Sequence, residues 1–81
     1  MRFSERLADE RKKRAISAEA MAALCGVSRS YITLLESGKR LPGVKVLPKI
    51  ADAFGMKTVT VLDWYLEEMR RRAVESLRIE S

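Results

Sequence analysis

Apolar positions in this chain recur mainly at steps of three and four, the spacing of helices with one buried face. A first helix is predicted from about Ser4 to Arg14. Ser4 caps it, with Phe3 just outside as a hydrophobic staple. Leu7 and Ala8, with Arg11 one turn on, face inward, while Arg6, Glu10 and Lys13 look outward. The run Arg11-Lys12-Lys13-Arg14 closes the helix, where cations suit the C-terminal dipole and need no further role. Ile16 anchors the next corner. Ser17 caps a second short helix with a narrow apolar face of Met21, Ala22 and Cys25. Cys25-Gly26-Val27 is the turn, since Gly26 can take a positive φ that a side chain would oppose. Ser28 is the next cap, Ile32 and Leu35 continue the buried face, and Ser37-Gly38 ends the third helix.

After a loop at Leu41-Pro42-Gly43, a fourth helix is expected from about Lys45 to Phe54. Leu47, Ile50, Ala51 and Phe54 lie on one face, Pro48 loosens the first turn, and Gly55 ends it. Residues 57–61 are ambiguous. Thr58-Val59-Thr60-Val61 alternates and is β-branched, as in a short strand. The preferred reading starts a helix after Thr60, because Thr60 and Asp63 form a variant capping box. From Val61 to about Ile79 the pattern is helical, with Leu62, Leu66, Met69 and Ala73 in one stripe and Leu77 beyond. Such a stripe on the last helix of a small domain points to a partner helix, in part from another copy. The alternatives are a helix folded back on its own core or a frayed tail. Trp64, on a different face from Leu62, is expected to add apolar surface that a monomer would struggle to hide.

Composition narrows the function. Eighty-one residues, 47% of them hydrophobic, suffice for one small core. The net charge is +5, and its distribution is uneven. Residues 1–62 carry 12 basic and 6 acidic side chains, against 4 and 5 in residues 63–81. The basic excess therefore sits on the first four helices, an electrostatic footprint suited to a polyphosphate partner. No apolar run is long enough to span a membrane. Arg2, Glu5 and Arg6 interrupt the start, so no leader is expected and the location is read as cytoplasmic. Cys25 is the single cysteine and there is no histidine, which leaves no disulfide, no zinc cluster and no imidazole base. No metal, cofactor or catalytic residues are expected. Without a phosphate-cradling glycine loop or converging carboxylates, an enzyme is the weakest class.

Two short helices joined by so tight a turn match a helix-turn-helix. The matching residues are Ala22, Gly26-Val27-Ser28, Tyr31-Ile32, Leu35-Glu36, Gly38 with Arg40, and Pro42. On these the chain resembles the lambda-repressor-like helix-turn-helix domains, also called XRE-type regulators, over roughly residues 4 to 66. The resemblance implies an all-α, five-helix DNA-binding domain over residues 1–66. Residues 67–81 are then a C-terminal helical extension for dimerisation or partner binding. Two departures stand out. The family commonly has glutamine at the position of Ala18, which removes a polar contact, and the connection after Gly55 is about two residues longer than usual.

In a helix-turn-helix the second helix enters the major groove with its N-terminal residues against base edges. Here those are Arg29, Ser30 and Thr33, and the resemblance implies the same three as base readers. Arg29 can pair bidentately with guanine; Ser30 and Thr33 can serve bases or phosphates. Lys39 and Arg40 are expected at phosphates, with Tyr31, Ser28 and the helix start at Ser17 and Ala18 as further phosphate positions. Glu36 falls on the inner side of its helix, where a carboxylate needs a partner. The resemblance implies an arginine of the first helix, and Arg11 fits, so Arg11 and Glu36 are expected to form a structural ion pair. Leu62, Leu66, Met69 and Ala73 are the expected dimerisation residues. The leading function is a small transcriptional regulator of the repressor or controller kind, binding a two-fold operator in double-stranded DNA as a homodimer. The alternative is an antitoxin-type protein that binds DNA and, through residues 67–81, a partner toxin.

Overall fold

A computed structural model describes residues 1–80; Ser81, the end of the 67–81 segment, and the side chains of Ile79 and Glu80 lie outside the described residues. All regular structure among the described residues is helical. The order is α1 (Phe3–Lys13), α2 (Ala18–Cys25), α3 (Arg29–Glu36), a short 3-10 turn (Val44–Val46), α4 (Leu47–Phe54) and α5 (Thr58–Glu80). The helices α1 to α4 wrap one core whose fully buried members include Leu7, Met21, Ile32, Leu35, Leu47 and Ile50. The helix α5 closes it, packing on α4 and α1.

The caps around the central pair of helices follow the local chemistry. Ser17 Oγ accepts from the Ala20 amide at 3.0 Å and Ser28 Oγ from the Tyr31 amide at 3.1 Å. Gly26 has φ +66°, and the Val27 amide donates back to Ala22 at 3.0 Å, so the chain turns within three residues. Pro48 sits in the first turn of α4, behind the 3-10 turn, where a missing donor costs no helical bond. Cys25 is buried, and desolvation raises its thiol pKa above the ordinary value, as expected for a packing residue.

Several local expectations are corrected. The first helix starts at Phe3, not after a Ser4 cap: the Glu5 carboxylate accepts from the Arg2 amide at 2.8 Å, and Phe3 is buried inside the first turn. Arg6 and Glu10 are half-buried rather than outward; Glu10 pairs with Arg14, and Arg6 lies 5.8 Å from the Trp64 ring centroid. Residues 58–61 form no strand, and Thr60 is not a cap; α5 already begins at Thr58. Helical geometry there brings Val61 and Trp64 onto the core at a step of three, and burial overrides the β-branched pattern. Trp64 is only 8% exposed, so it closes the core instead of enlarging the surface.

Glu68 of α5 is 3% exposed and holds several segments together. Its carboxylate accepts from Arg2 at 2.5 Å, from the Phe3 amide at 3.4 Å, from Arg71 at 3.4 Å and from Arg72 at 3.1 Å. Arg72 also donates to the Gly38 carbonyl at 3.1 Å, just past the end of α3. The Arg2 hydrogen bond, with that of Arg72, holds the Glu68 carboxyl down at about 2, against the opposing effect of its burial. A carboxyl lowered on folding stabilises above its unfolded pKa and loses that contribution as pH falls. Glu68→Gln is therefore expected to destabilise the fold by about 1.5–3 kcal/mol at pH 7. The difference between wild type and variant should shrink between about pH 4.5 and 2, as urea titrations across that range would show.

Candidate nucleic-acid interface

The outer edge of α3 carries the three predicted readers, and all three are exposed. The opposite edge carries Ile32 and Leu35, both fully buried, so core packing sets the rotation of the helix. Thr33 Oγ1 donates to the Arg29 carbonyl at 3.2 Å and so presents lone pairs outward. Arg29 reaches sideways to Glu19 in the first turn of α2, with 3.3 Å between nitrogen and oxygen. Both side chains are more than two-thirds exposed, so this pair is loose and the guanidinium remains accessible.

Past the end of α3, Lys39 and Arg40 are exposed. Both of their amides donate to the Leu34 carbonyl, at 3.1 and 3.3 Å, which curls the backbone and aims the loop outward from the helix end. The Arg40 guanidinium lies 5.2 Å from the Tyr31 ring centroid. Tyr31 is half-buried, and its hydroxyl accepts from the Gly43 amide at 3.0 Å. Tyr31 thus ties α3 to the following loop and supports Arg40 over its ring; its hydroxyl hydrogen is left to donate outward.

At the start of α2 the amides of Ala18 and Glu19 precede any helical acceptor. The hydroxyls of Ser17 and Ser28 already accept from helix amides, so each would meet a phosphate as a donor. Glu19 was not singled out by sequence reasoning. Its place among the first-turn residues of α2 was the available signal, and its carboxylate works against anion binding there. Lys49 was also missed: its Nζ lies 3.4 Å from where a side-chain carbon on Gly26 would sit, which places a cation against the turn. Lys45 adds another in the 3-10 turn.

The Arg11–Glu36 pair lies where the resemblance implies. Arg11 donates twice to the Glu36 carboxylate, at 2.7 and 3.0 Å, and once to the Ile16 carbonyl at 2.9 Å. The hydrogen bonds to Glu36 raise the Arg11 pKa. Both side chains are about 15% exposed, so the pair is largely withdrawn from water. Glu36→Ala is expected to cost about 3 kcal/mol in thermal or urea unfolding, because it strands a desolvated guanidinium. Replacing both residues with apolar ones of similar size should recover much of that loss.

The four predicted dimerisation residues do not behave alike. Leu62 is half-buried and packs partly against its own core, whereas Leu66 and Met69 are 51% and 44% exposed and Ala73 is exposed. Val59 and Leu77, at 55% and 65%, extend the bare stripe at both ends.

Comparison with known proteins adds to this geometry. A family profile described as helix-turn-helix matches residues 7–62. The 10 kDa protein of the ImmF control region of Bacillus phage phi105 is 40% identical over 43 residues; that match covers 53% of this chain and 48% of the relative. The chain thus spans about half the length of the curated relative it matches. Among solved structures, the P22 c2 repressor in complex with a synthetic operator is similar with TM-score 0.71 and 25% identity, over 79% of this chain and 97% of that one. A complex of SinR protein with SinI protein is similar in fold, with TM-score 0.68 and 24% identity, over 91% of this chain and 80% of that one.

Proposed function

This chain belongs to the lambda-repressor-like helix-turn-helix family of DNA-binding transcriptional regulators, and on that premise we propose that it reads duplex DNA with the exposed edge of α3. The observation that carries this reading is the arrangement of α3 itself. One edge is locked into the core by Ile32 and Leu35, and the other presents Arg29, Ser30 and Thr33 with cations just beyond the helix end. Arg29 pairs with a guanine edge, Ser30 and Thr33 serve bases or phosphates, and Lys39 and Arg40 hold the backbone. Ser17, Ala18, Ser28 and Tyr31 supply the remaining phosphate positions. The family and fold are those of DNA-binding regulators rather than enzymes. Among the described residues no helix is long and apolar enough to cross a membrane, and a cytoplasmic place of action fits a DNA partner. The phage relative's name refers to a control region, the setting in which a small repressor or controller would work.

If several Lys and Arg neutralise phosphates, log affinity should fall with log salt by about 0.9 per contact. Arg29→Ala is expected to cost about 1–3 kcal/mol on the preferred site and relax the choice at one base pair. Arg40→Ala should weaken all duplexes alike and lower the salt slope by about 1. Selection of bound duplexes from a random pool, followed by salt titrations of the two variants, checks both. Equal losses on selected and random DNA for both variants would remove Arg29 as a base reader.

The function also needs two copies. One short recognition helix covers only a few base pairs, and pairing two places half-sites about 34 Å apart, one helical turn. Residues 1–66 form the DNA-binding unit. Residues 67–81 extend it, anchored at their start by Glu68, Arg71 and Arg72, and with Leu62 and Leu66 supply the dimer surface. Leu66→Asp with Met69→Asp is expected to give a folded monomer with much weaker operator binding, by circular dichroism and sedimentation equilibrium. A variant that stays dimeric would move the interface elsewhere. Retention of a stoichiometric second protein on the bare stripe would instead favour the antitoxin-type reading.

A further inference from the structure

The exposed stripe of α5 also contains the geometry of its own partner. At about 100° per residue, Val59, Leu62, Leu66, Met69 and Ala73 cluster on one face. Val61, Trp64 and Glu68, which are buried, occupy another. The helix therefore has one face committed to its own domain and a second apolar seam that meets the core only at the half-buried Leu62. The steps along that seam are three, four, three and four, the spacing of a two-helix coiled coil.

We propose that the seam is covered by α5 of a second copy of this chain, running antiparallel about a two-fold axis that passes between Glu67 and Glu68. This inference rests on the dimeric reading above and adds the direction and register of the pairing. The central steps, Leu62 to Leu66 to Met69 to Ala73, are four, three and four, so they read the same from either end. A second copy turned end for end sets Leu62 against the partner's Ala73 and Leu66 against the partner's Met69. These four residues then mesh without a slip, and Val59 falls beside the partner's Ser76.

Apolar packing alone would also permit a parallel pair, and the flanking charges separate the two. Asp63 follows Leu62 by one residue and Arg70 follows Met69 by one, so both lie on the same flank of the seam. In the antiparallel register Asp63 lies beside the partner's Arg70, and the two-fold axis makes the contact twice. In a parallel pair Asp63 would lie beside the partner's Thr58 and Arg70 beside the partner's Tyr65, and no opposite charges on these flanks meet. Asp63 and Arg70 are both exposed, and among the described residues neither has an ion-pair partner within the chain. Neighbouring charges on α5 are already engaged: Glu67 with Arg6, and Glu68 with Arg2, Arg71 and Arg72. The charges left unpaired on the helix thus include the two that the antiparallel register brings together.

Charge reversal tests this on the full chain by sedimentation equilibrium, with circular dichroism confirming that each variant folds. Asp63→Arg places two pairs of arginines against one another in a homodimer, and Arg70→Asp places two pairs of aspartates. Each variant alone should dimerise about tenfold or more weakly than wild type, from two lost attractions and two new repulsions. An equimolar mixture of the two should associate as a heterodimer within about threefold of the wild-type strength, because every flanking pair is again of opposite sign. The chain carrying both reversals should recover its homodimer to the same extent. If wild type is dimeric but neither the mixture nor the double variant recovers, the antiparallel register is overturned while the dimeric reading stands. If wild type remains monomeric at every concentration, both are overturned and the seam belongs to a different protein.

Discussion

The Glu68 carboxylate is the contact on which the arrangement of this small domain depends. A buried carboxylate is costly in isolation, and its partners decide whether it stabilises or disrupts. Here three arginines and a backbone amide supply it, and each comes from a place that needs fixing. Arg2 and the Phe3 amide bring in the start of α1. Arg71 and Arg72 belong to α5 itself. Arg72 then continues to the Gly38 carbonyl, where the chain leaves α3 with a φ of +78°. The C-terminal helix is therefore tied to the end of the recognition helix, not merely appended to the domain.

A second ion pair does the same work from the opposite side. Arg11 on α1 grips Glu36 at the last turn of α3 and also holds the Ile16 carbonyl of the preceding corner. The helix α3 is thus restrained near its C-terminus by arginines from α1 and α5, and along its length by the buried Ile32 and Leu35. Its N-terminal outer edge is held only by the loose, exposed Arg29–Glu19 contact and so stays open to solvent. A helix that must place a few side chains accurately gains from this, because rigidity reduces the ordering required at the moment of binding.

The features legible in the sequence are those set by neighbours a few residues apart. The caps at Ser17 and Ser28, the turn at Gly26 and the apolar steps of α2, α3 and α4 all have local causes, and they place the exposed edge of α3 correctly. Glu68 joins Arg2 across 66 positions, and no local rule distinguishes it from the solvated charges around it. The start of α5 was hidden for a related reason. Thr58 to Val61 is β-branched and alternating, and only the demand that Val61 and Trp64 reach the same core makes it helical. Phe3 reads as a residue outside the first helix until the capping contact from Glu5 and the pull of the core extend that helix by one residue.

The electrostatics of the outer edge temper raw attraction. Glu19 places a carboxylate at the start of α2, where the helix N-terminus would otherwise attract a phosphate, and Ala18 offers no side-chain donor beside it. On the proposed reading phosphate affinity then draws most on Lys39, Arg40, Lys45 and Lys49, with the α2 start, Ser28 and Tyr31 contributing less. The same carboxylate engages Arg29 through a single long contact between two exposed groups, worth about 0–1 kcal/mol. A bidentate guanine contact is worth about 1–3 kcal/mol of discrimination and can displace it. A wrong base gives no such return, and Arg29 then keeps its partner within the chain. On the proposed reading Glu19 therefore competes with the correct base for Arg29, and because that contact is exposed and weak it lowers affinity only slightly and leaves most of the base discrimination in place.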